Sequence, residues 1–369
     1  MPAMRRGSIG SIVLVCLFAV RAAAAQDPFD AERHAALAQV AWVEQAYAER
    51  LGPHGAEWRA RIKSEEPALT KTLDWFARNA AGDQALRLAV PLAYFWTSEG
   101  RQQESRELLT KILALPSAAA PTAIRAKALY DAGLLAFRQR DQAASRAQNE
   151  ESLAISRKLQ DKAGMAMALI GLSRCALRDL DYAAVRRYAE EAAVLRRDLD
   201  DKRGEGTAVH MLAAIARMQG QYDRAVELYT FNLNVSRDAG SQAGIAGETF
   251  NLGYVRARQG KTQDAQKLFT DSLGKYREMQ DEAGIAYNLT GFAAIAVERK
   301  QPTRAARLYG AAFAILDQLG ITFDPDDQLE IDHYSAKLLA SISPAAFRSA
   351  TDEGRALSPE RAIALALAP

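Results

Sequence analysis

Four short stretches of the chain return at a step of 40 residues: Asp161-Lys162-Ala163-Gly164, Asp201-Lys202-Arg203-Gly204, Ser241-Gln242-Ala243-Gly244 and Asp281-Glu282-Ala283-Gly284. Other columns keep the same step. Ala132, Leu172, Leu212, Leu252 and Phe292 form one, and Gly133, Ser173, Ala213, Gly253 and Ala293, always small, form the next. Ser145, Val185, Ala225, Ala265 and Ala305 make a third; Asn149, Ala189, Tyr229, Phe269 and Tyr309 make a fourth. A fifth, from Leu113 through Leu153, Ala193, Leu233 and Leu273 to Phe313, reaches one unit further upstream. Internal repetition at such a period means one structural unit stacked on copies of itself. Within a unit apolar residues recur at helical spacing, as in Leu129, Ala132, Ala136. Breaks at Arg140-Asp141, Leu180-Asp181, Gly220-Gln221, Gly260-Lys261 and Lys300-Gln301 divide each unit into two helices, and Gly220 and Gly260 suit a left-handed helix stop. Such a hairpin cannot bury its apolar stripe alone, whereas a stack can.

These columns resemble the tetratricopeptide repeat, through Leu129 or Leu289, Leu252-Gly253, Ala225 or Ala265, and Tyr229 or Phe269. The usual unit has about 34 residues, so longer helices are expected here. The resemblance implies an all-α fold, a right-handed α-solenoid of stacked helical hairpins. Six units are expected over residues 83–320, preceded by a helical cap at 26–82 and followed by a C-terminal helical cap at 321–369. The cap holds helices near 31–51 and 56–80, the second broken near Pro67, and the first hundred residues hold all four tryptophans. Towards the end, one or two helices are expected from about 326, with Ser358-Pro359 starting a last short one.

The N-terminus reads as a secretory signal: basic Arg5 and Arg6, an apolar run from Ile9 to Val20, then four alanines ending at Ala25, with cleavage before Gln26. The expected location is periplasmic or secreted, with no membrane insertion after cleavage. Formal charge is +2, and −1 without the first 25 residues, which hold Arg5, Arg6, Arg21 and no acid. Near-neutrality argues against nucleic acid as a partner. Processing removes Cys16 and leaves Cys175, so no internal disulfide is expected.

A search for chemistry finds little. Gly260-Lys261-Thr262 looks like the end of a phosphate loop, but Val255 stands where the motif needs glycine, and the setting is a turn between helices. Ser272-Leu273-Gly274-Lys275 matches a β-lactamase motif without its companions. The histidines His34, His54, His210 and His333 are scattered, with no metal-ligand spacing. Asp324-Pro325-Asp326-Asp327 reads as a solvated loop with N-cap potential. No catalytic residue, metal or cofactor is expected, and the chain is read as non-enzymatic.

In the tetratricopeptide arrangement the first helices line the concave, binding side. The resemblance places three columns there: Tyr130, Ile170, His210, Phe250 and Thr290; Leu134, Arg174, Ala214, Tyr254 and Ala294; Arg138, Arg178, Met218, Arg258 and Glu298. Guanidiniums bind carboxylates well, and Arg with aromatics is typical of energetic hot spots. The expected binding residues are therefore Tyr130, Arg138, Arg174, Arg178, His210, Phe250, Tyr254 and Arg258, and the expected partner is a protein or an extended peptide bearing acidic groups or a free C-terminus.

A wider resemblance runs along the chain. Trp58-Arg59-Ala60-Arg61-Ile62, Ala68 to Trp75, Ala85 to Ala89, Tyr94-Phe95-Trp96, Arg304 to Ala312, and Glu353 to Leu367 are similar to the C-terminal sensor segment of bacterial signal-transduction ATPases and activators of the LuxR and antibiotic-regulatory types. The ATPase and DNA-binding domains of those regulators are missing here. The leading expectation is an exported scaffold. The alternative is a sensor or regulatory subunit, split from its ATPase and DNA-binding partner and cytoplasmic or membrane-anchored.

Overall fold

The computed structural model describes residues 28–50, 52 and 54–368. The expected signal segment and its cleavage point lie outside them. The described residues hold seventeen α-helices and no strand. They divide into two compact units, one up to Leu135 and one from Ala136 onward.

The first unit opens with α1 (Pro28–Ala48) and α2 (Gly55–Arg78), continues through α3 (Gly82–Ser98) and α4 (Gln102–Leu113), and ends within α5 (Ala123–Arg138). The expected break at Pro67 does not occur, and α2 runs through it. Pro67 lies on the exposed side, where the carbonyl freed by its missing N–H can meet solvent. Ile62, Leu69, Leu73 and Phe76 keep one buried stripe on both sides of it. The tryptophans sit mainly at the margins of this core. Trp58 and Trp75 donate their indole N–H to Glu49 and Glu32, each at 3.0 Å, while Arg61 covers Trp42 and Arg101 covers Trp96.

The second unit is a stack of helical hairpins: α6 (Gln142–Leu159), α7 (Lys162–Arg178), α8 (Tyr182–Asp198), α9 (Lys202–Met218), α10 (Tyr222–Asp238), α11 (Gln242–Arg258), α12 (Thr262–Glu278), α13 (Glu282–Glu298) and α14 (Pro302–Leu319). It closes with α15 (Pro325–Leu339), α16 (Pro344–Arg355) and α17 (Pro359–Leu367). From Gln142 to Pro302 each helix begins 20 residues after the one before. The repeated Asp/Ser-x-x-Gly motif is the cap of each first helix: Asp161, Asp201, Ser241 and Asp281 accept the backbone N–H of Gly164, Gly204, Gly244 and Gly284 at 3.0, 2.8, 3.2 and 2.9 Å. The glycine is needed for close approach. A Cβ at Gly164 would lie 2.5 Å from the hydroxyl of Ser156 on the preceding helix, and one at Gly284 would strike the Tyr276 ring.

The stops obey a 20-residue rule that glycine alone does not reveal. Every twentieth residue from 140 to 320 has positive φ, including the non-glycines Arg140, Gln160, Leu180, Asp200, Gln280 and Lys300. At Leu180 (φ 58°) the amide of Asp181 reaches back to the carbonyl of Ala176 at 2.9 Å, and that of Leu180 to Leu177 at 3.0 Å, the paired bonds of a Schellman stop. A β-carbon in this conformation costs about 1–2 kcal/mol, and the Leu180 side chain is exposed. Leu180→Gly is therefore expected to stabilise the second unit by about 0.5–1 kcal/mol, after allowing for the freer unfolded chain. A fall in the chemical-denaturation midpoint would contradict this account of the stop.

Candidate functional site

The first helices form a row: α7 packs on α9, and α11 on α13, besides each helix's own hairpin partner. The predicted columns lie along this row, but their exposure is graded. Arg174, Arg178 and His210 are half-buried, whereas Phe250, Tyr254, Thr290 and Ala294 are buried. The cause is α15. After α14 the chain does not continue the stack directly; it runs back over the row and touches α9, α13 and α14.

This corrects the reading of Asp324–Asp327 as a solvated loop with N-cap potential: Asp324 stays exposed at the N-cap position, but Asp326 is buried and Asp327 half-buried. Pro325, Asp326 and Asp327 form the first turn of α15. Asp326 and Asp327 accept bonds from Arg217 Nη2 of α9 at 2.6 and 3.1 Å, and Arg217 is fully buried. One turn further along, Glu330 lies 3.6 Å from Arg258 Nε. Tyr334 stacks on Tyr254, with centroids 6.4 Å apart, and Lys337 pairs with Glu298 at 2.7 Å. Phe323, just ahead of the helix, meets Tyr287 edge-on. A basic, aromatic row thus receives an acidic helix from its own chain.

Among the expected binding residues, Arg258 donates to the Tyr222 hydroxyl at 3.1 Å and faces Glu330. Tyr254 is not a surface residue: its hydroxyl meets Thr290 Oγ1 at 2.8 Å in the core. Phe250 is likewise buried, edge-on to Tyr254. Arg178 lies 3.7 Å from the Phe137 ring centroid and donates to the Phe137 carbonyl at 2.8 Å. Arg138 is exposed at the end of α5. Tyr130, near the Lys127 ammonium, belongs to the first unit and is described within it.

Electrostatics tie the rest together. Asp324 caps α15 without a side-chain cap bond. Burial and Asp326 push its carboxyl up, while Arg174, Arg178 and His210 pull it down. Burial, with Asp326 beside it, pushes Asp327 to about 7, against the pull of Arg217. His210 stands 3.0 Å from Glu248. Its burial disfavours the imidazolium, but the Glu248 carboxylate prevails and raises it to about 9. The position that sequence reasoning missed is Arg217, and a signal existed. At the 40-residue step its column reads Phe137, Leu177, Arg217, Ala257 and Val297, a single charge in an apolar file.

The remaining motifs are structural. Ser272 Oγ donates to the Ala246 carbonyl at 2.9 Å in the core, and Gly260 occupies the left-handed turn before α12. Cys175 is buried against the Ser145 hydroxyl. Among the described residues no group of three His, Cys, Asp or Glu could hold a metal, and no helix is long and apolar enough to cross a membrane.

No protein-family model matches the chain, and no curated protein is similar enough to stand as a relative. Solved structures are similar in fold. A Rap protein complexed with Competence and Sporulation Factor shares 14% identity over 89% of this chain and 88% of that one, with a TM-score of 0.57. The apo form of RapI shares 12% identity over 85% of each chain, at 0.50. A kinesin light chain with nearly identical repeats from Podosopora anserina covers 53% of this chain and 97% of its own, with 18% identity and a TM-score of 0.42. At these identities the likeness is one of architecture: the chain has a tetratricopeptide-like α-solenoid fold.

Proposed function

We propose that this is an exported, non-enzymatic scaffold that holds a protein or peptide partner against the row of first helices in its second unit. The observation that carries the reading is that this row, with Arg217, Arg258 and Tyr254, already accommodates an acidic helix. Guanidiniums beside aromatic rings, on a row of rigid helices, are the chemistry of a peptide-binding groove. The Rap protein of the same architecture, solved with Competence and Sporulation Factor, supports a role in holding a partner.

The test joins in-cell cross-linking to substitution. A partner cross-linked to the wild-type chain is expected to be lost from the triple variant Arg138→Glu, Arg174→Glu, Arg178→Glu, with the helical circular-dichroism spectrum unchanged. Equal capture by both proteins would remove the groove from the proposal. Export is read from the mature N-terminus. A periplasmic or secreted chain starting near Gln26 supports it, whereas a cytoplasmic chain retaining Arg5 and Arg6 would favour the split sensor subunit.

A further inference from the structure

The placement of α15 is not that of a helix closing a stack. A helix that merely continued the stack would rest on the last hairpin, whereas α15 reaches α9, two hairpins back. Only after it does the chain return, as α16, to pack on α14. There a Cβ at Gly310 or Gly354 would meet the facing helix's backbone, so α16 is seated by close backbone contact independently of α15. The helix is thus a strap anchored at both ends by other packing.

Its hold on the row is incompletely satisfied. Arg217 uses Nη2 for Asp326 and Asp327, while Nε and Nη1 are buried with no hydrogen-bond partner among the described residues. Neither carboxylate oxygen of Glu330 has a hydrogen bond, nor does Arg258 Nη1, although the ions are within pairing distance. Asp324, Asp326, Asp327 and Glu330 crowd at one end of the helix. A partly satisfied buried polar network is costly to keep, and a ligand that completed it would bind at the strap's expense.

We propose that α15 is a resident pseudo-ligand, and that the partner is an acidic helical segment of another protein whose first-turn carboxylates take over Arg217 and Arg258 when α15 swings out. This rests on the groove reading above and adds to it the partner's chemistry and an autoinhibitory strap. A tethered competitor acts at an effective concentration on the order of millimolar, so an acidic helix should bind the wild-type chain weakly and a strap-released chain much better.

The experiment uses the full chain and, as probe, a fluorescent synthetic peptide with the sequence of residues 322–341. The releasing variant is D326N/D327N/E330Q, which leaves Arg217 buried without its counter-ions and so favours undocking of α15. The peptide is expected to bind this variant at least about tenfold more tightly than wild type. The same peptide carrying Asn, Asn and Gln at those three positions is expected not to bind. Equal affinity for wild type and variant, or equal binding of the acid-free peptide, overturns the proposal. Hydrogen exchange on the wild-type chain decides the matter even if the variant does not fold. Amides of α15 are expected to exchange at least about tenfold faster than those of α14 and α16, and equal protection overturns the strap. If cross-links are lost from the Arg138, Arg174, Arg178 variant while α15 stays protected, the groove stands and the strap fails; if the cross-links are unaffected, the groove itself fails.

Discussion

Arg217→Ala is expected to destabilise the second unit by about 3–5 kcal/mol at pH 8, the usual result of removing one partner from a buried ion pair. The residue is fully buried, and its guanidinium bonds two carboxylates of α15 and lies 5.7 Å from the Tyr254 ring centroid. Alanine would leave Asp326, Asp327 and Glu330 short of positive charge in a desolvated place. The readout can be made specific to the unit. All four tryptophans lie in the first hundred residues, so their fluorescence follows the first unit, while far-ultraviolet circular dichroism follows both. The variant is expected to show a helical transition that moves to lower denaturant while the tryptophan transition stays in place. No shift of the helical transition would contradict the assignment of Arg217 as the counter-ion of α15.

The same cluster sets a pH dependence of definite sign. Asp327 ionises near 7 in the folded chain against an ordinary value of 3.8. Between those limits the folded state holds a proton that the unfolded state has lost, so stability falls as pH rises from about 4 to about 7. His210, raised from 6.5 to about 9, stabilises through its charged form. That contribution is complete below 6.5 and is lost as pH climbs through 9. Both groups act in one direction, so the second unit of the wild-type chain is expected to be more stable at pH 5.5 than at pH 9. The penalty of Arg217→Ala is expected to shrink at the lower pH, where Asp327 can hold its proton. Equal midpoints at the two pH values would show that neither group is linked to folding.

What could be read from the sequence divides along the range of the interactions. The Asp/Ser-x-x-Gly motif is a local cap, completed within four residues, and its meaning was present in its spacing. The helix stops were half legible. Gly220 and Gly260 advertised left-handed residues, but Leu180, Asp200 and Lys300 adopt the same φ without the composition that signals it, because the stacked helices impose the turn. The row of first helices was legible as a set of columns, but its exposure was not. Arg217 and Asp327 are 110 residues apart, and no periodicity predicts that the C-terminal helix carrying Asp327 will fold back to meet Arg217. The apolar file interrupted by Arg217 is a signal that the sequence reading passed over, and it says nothing of where the counter-charge lies. For Pro67, the continuous stripe of Ile62, Leu69, Leu73 and Phe76 outweighed the local cost of proline, a case of tertiary packing overriding a local signal.

Phe269→Ala is expected to cost about 3–5 kcal/mol, as a cavity left by a fully buried aromatic ring. Phe269 belongs to the second-helix column that runs Asn149, Ala189, Tyr229, Phe269 and Tyr309, and no part of it is exposed. Its ring lies 5.7 Å from Phe250, 5.3 Å from Tyr254 and 6.1 Å from Phe292, measured between centroids. Two glycines admit it: a Cβ at Gly253 or Gly291 would sit 2.6 Å from its Cε1. In this unit Gly253, of the small column, is therefore the hole and Phe269 the knob of one contact. Gly253→Ala alone must then push the ring or the helix aside, at about 1–3 kcal/mol. Combined with Phe269→Ala, the same methyl enters space already vacated and is expected to cost little or to recover part of the loss. The double-mutant cycle should thus be strongly non-additive, with the pair less destabilised than the sum of the singles. Strict additivity would mean that Gly253 and Phe269 do not share a contact, and the register assigned to the whole stack would have to be shifted.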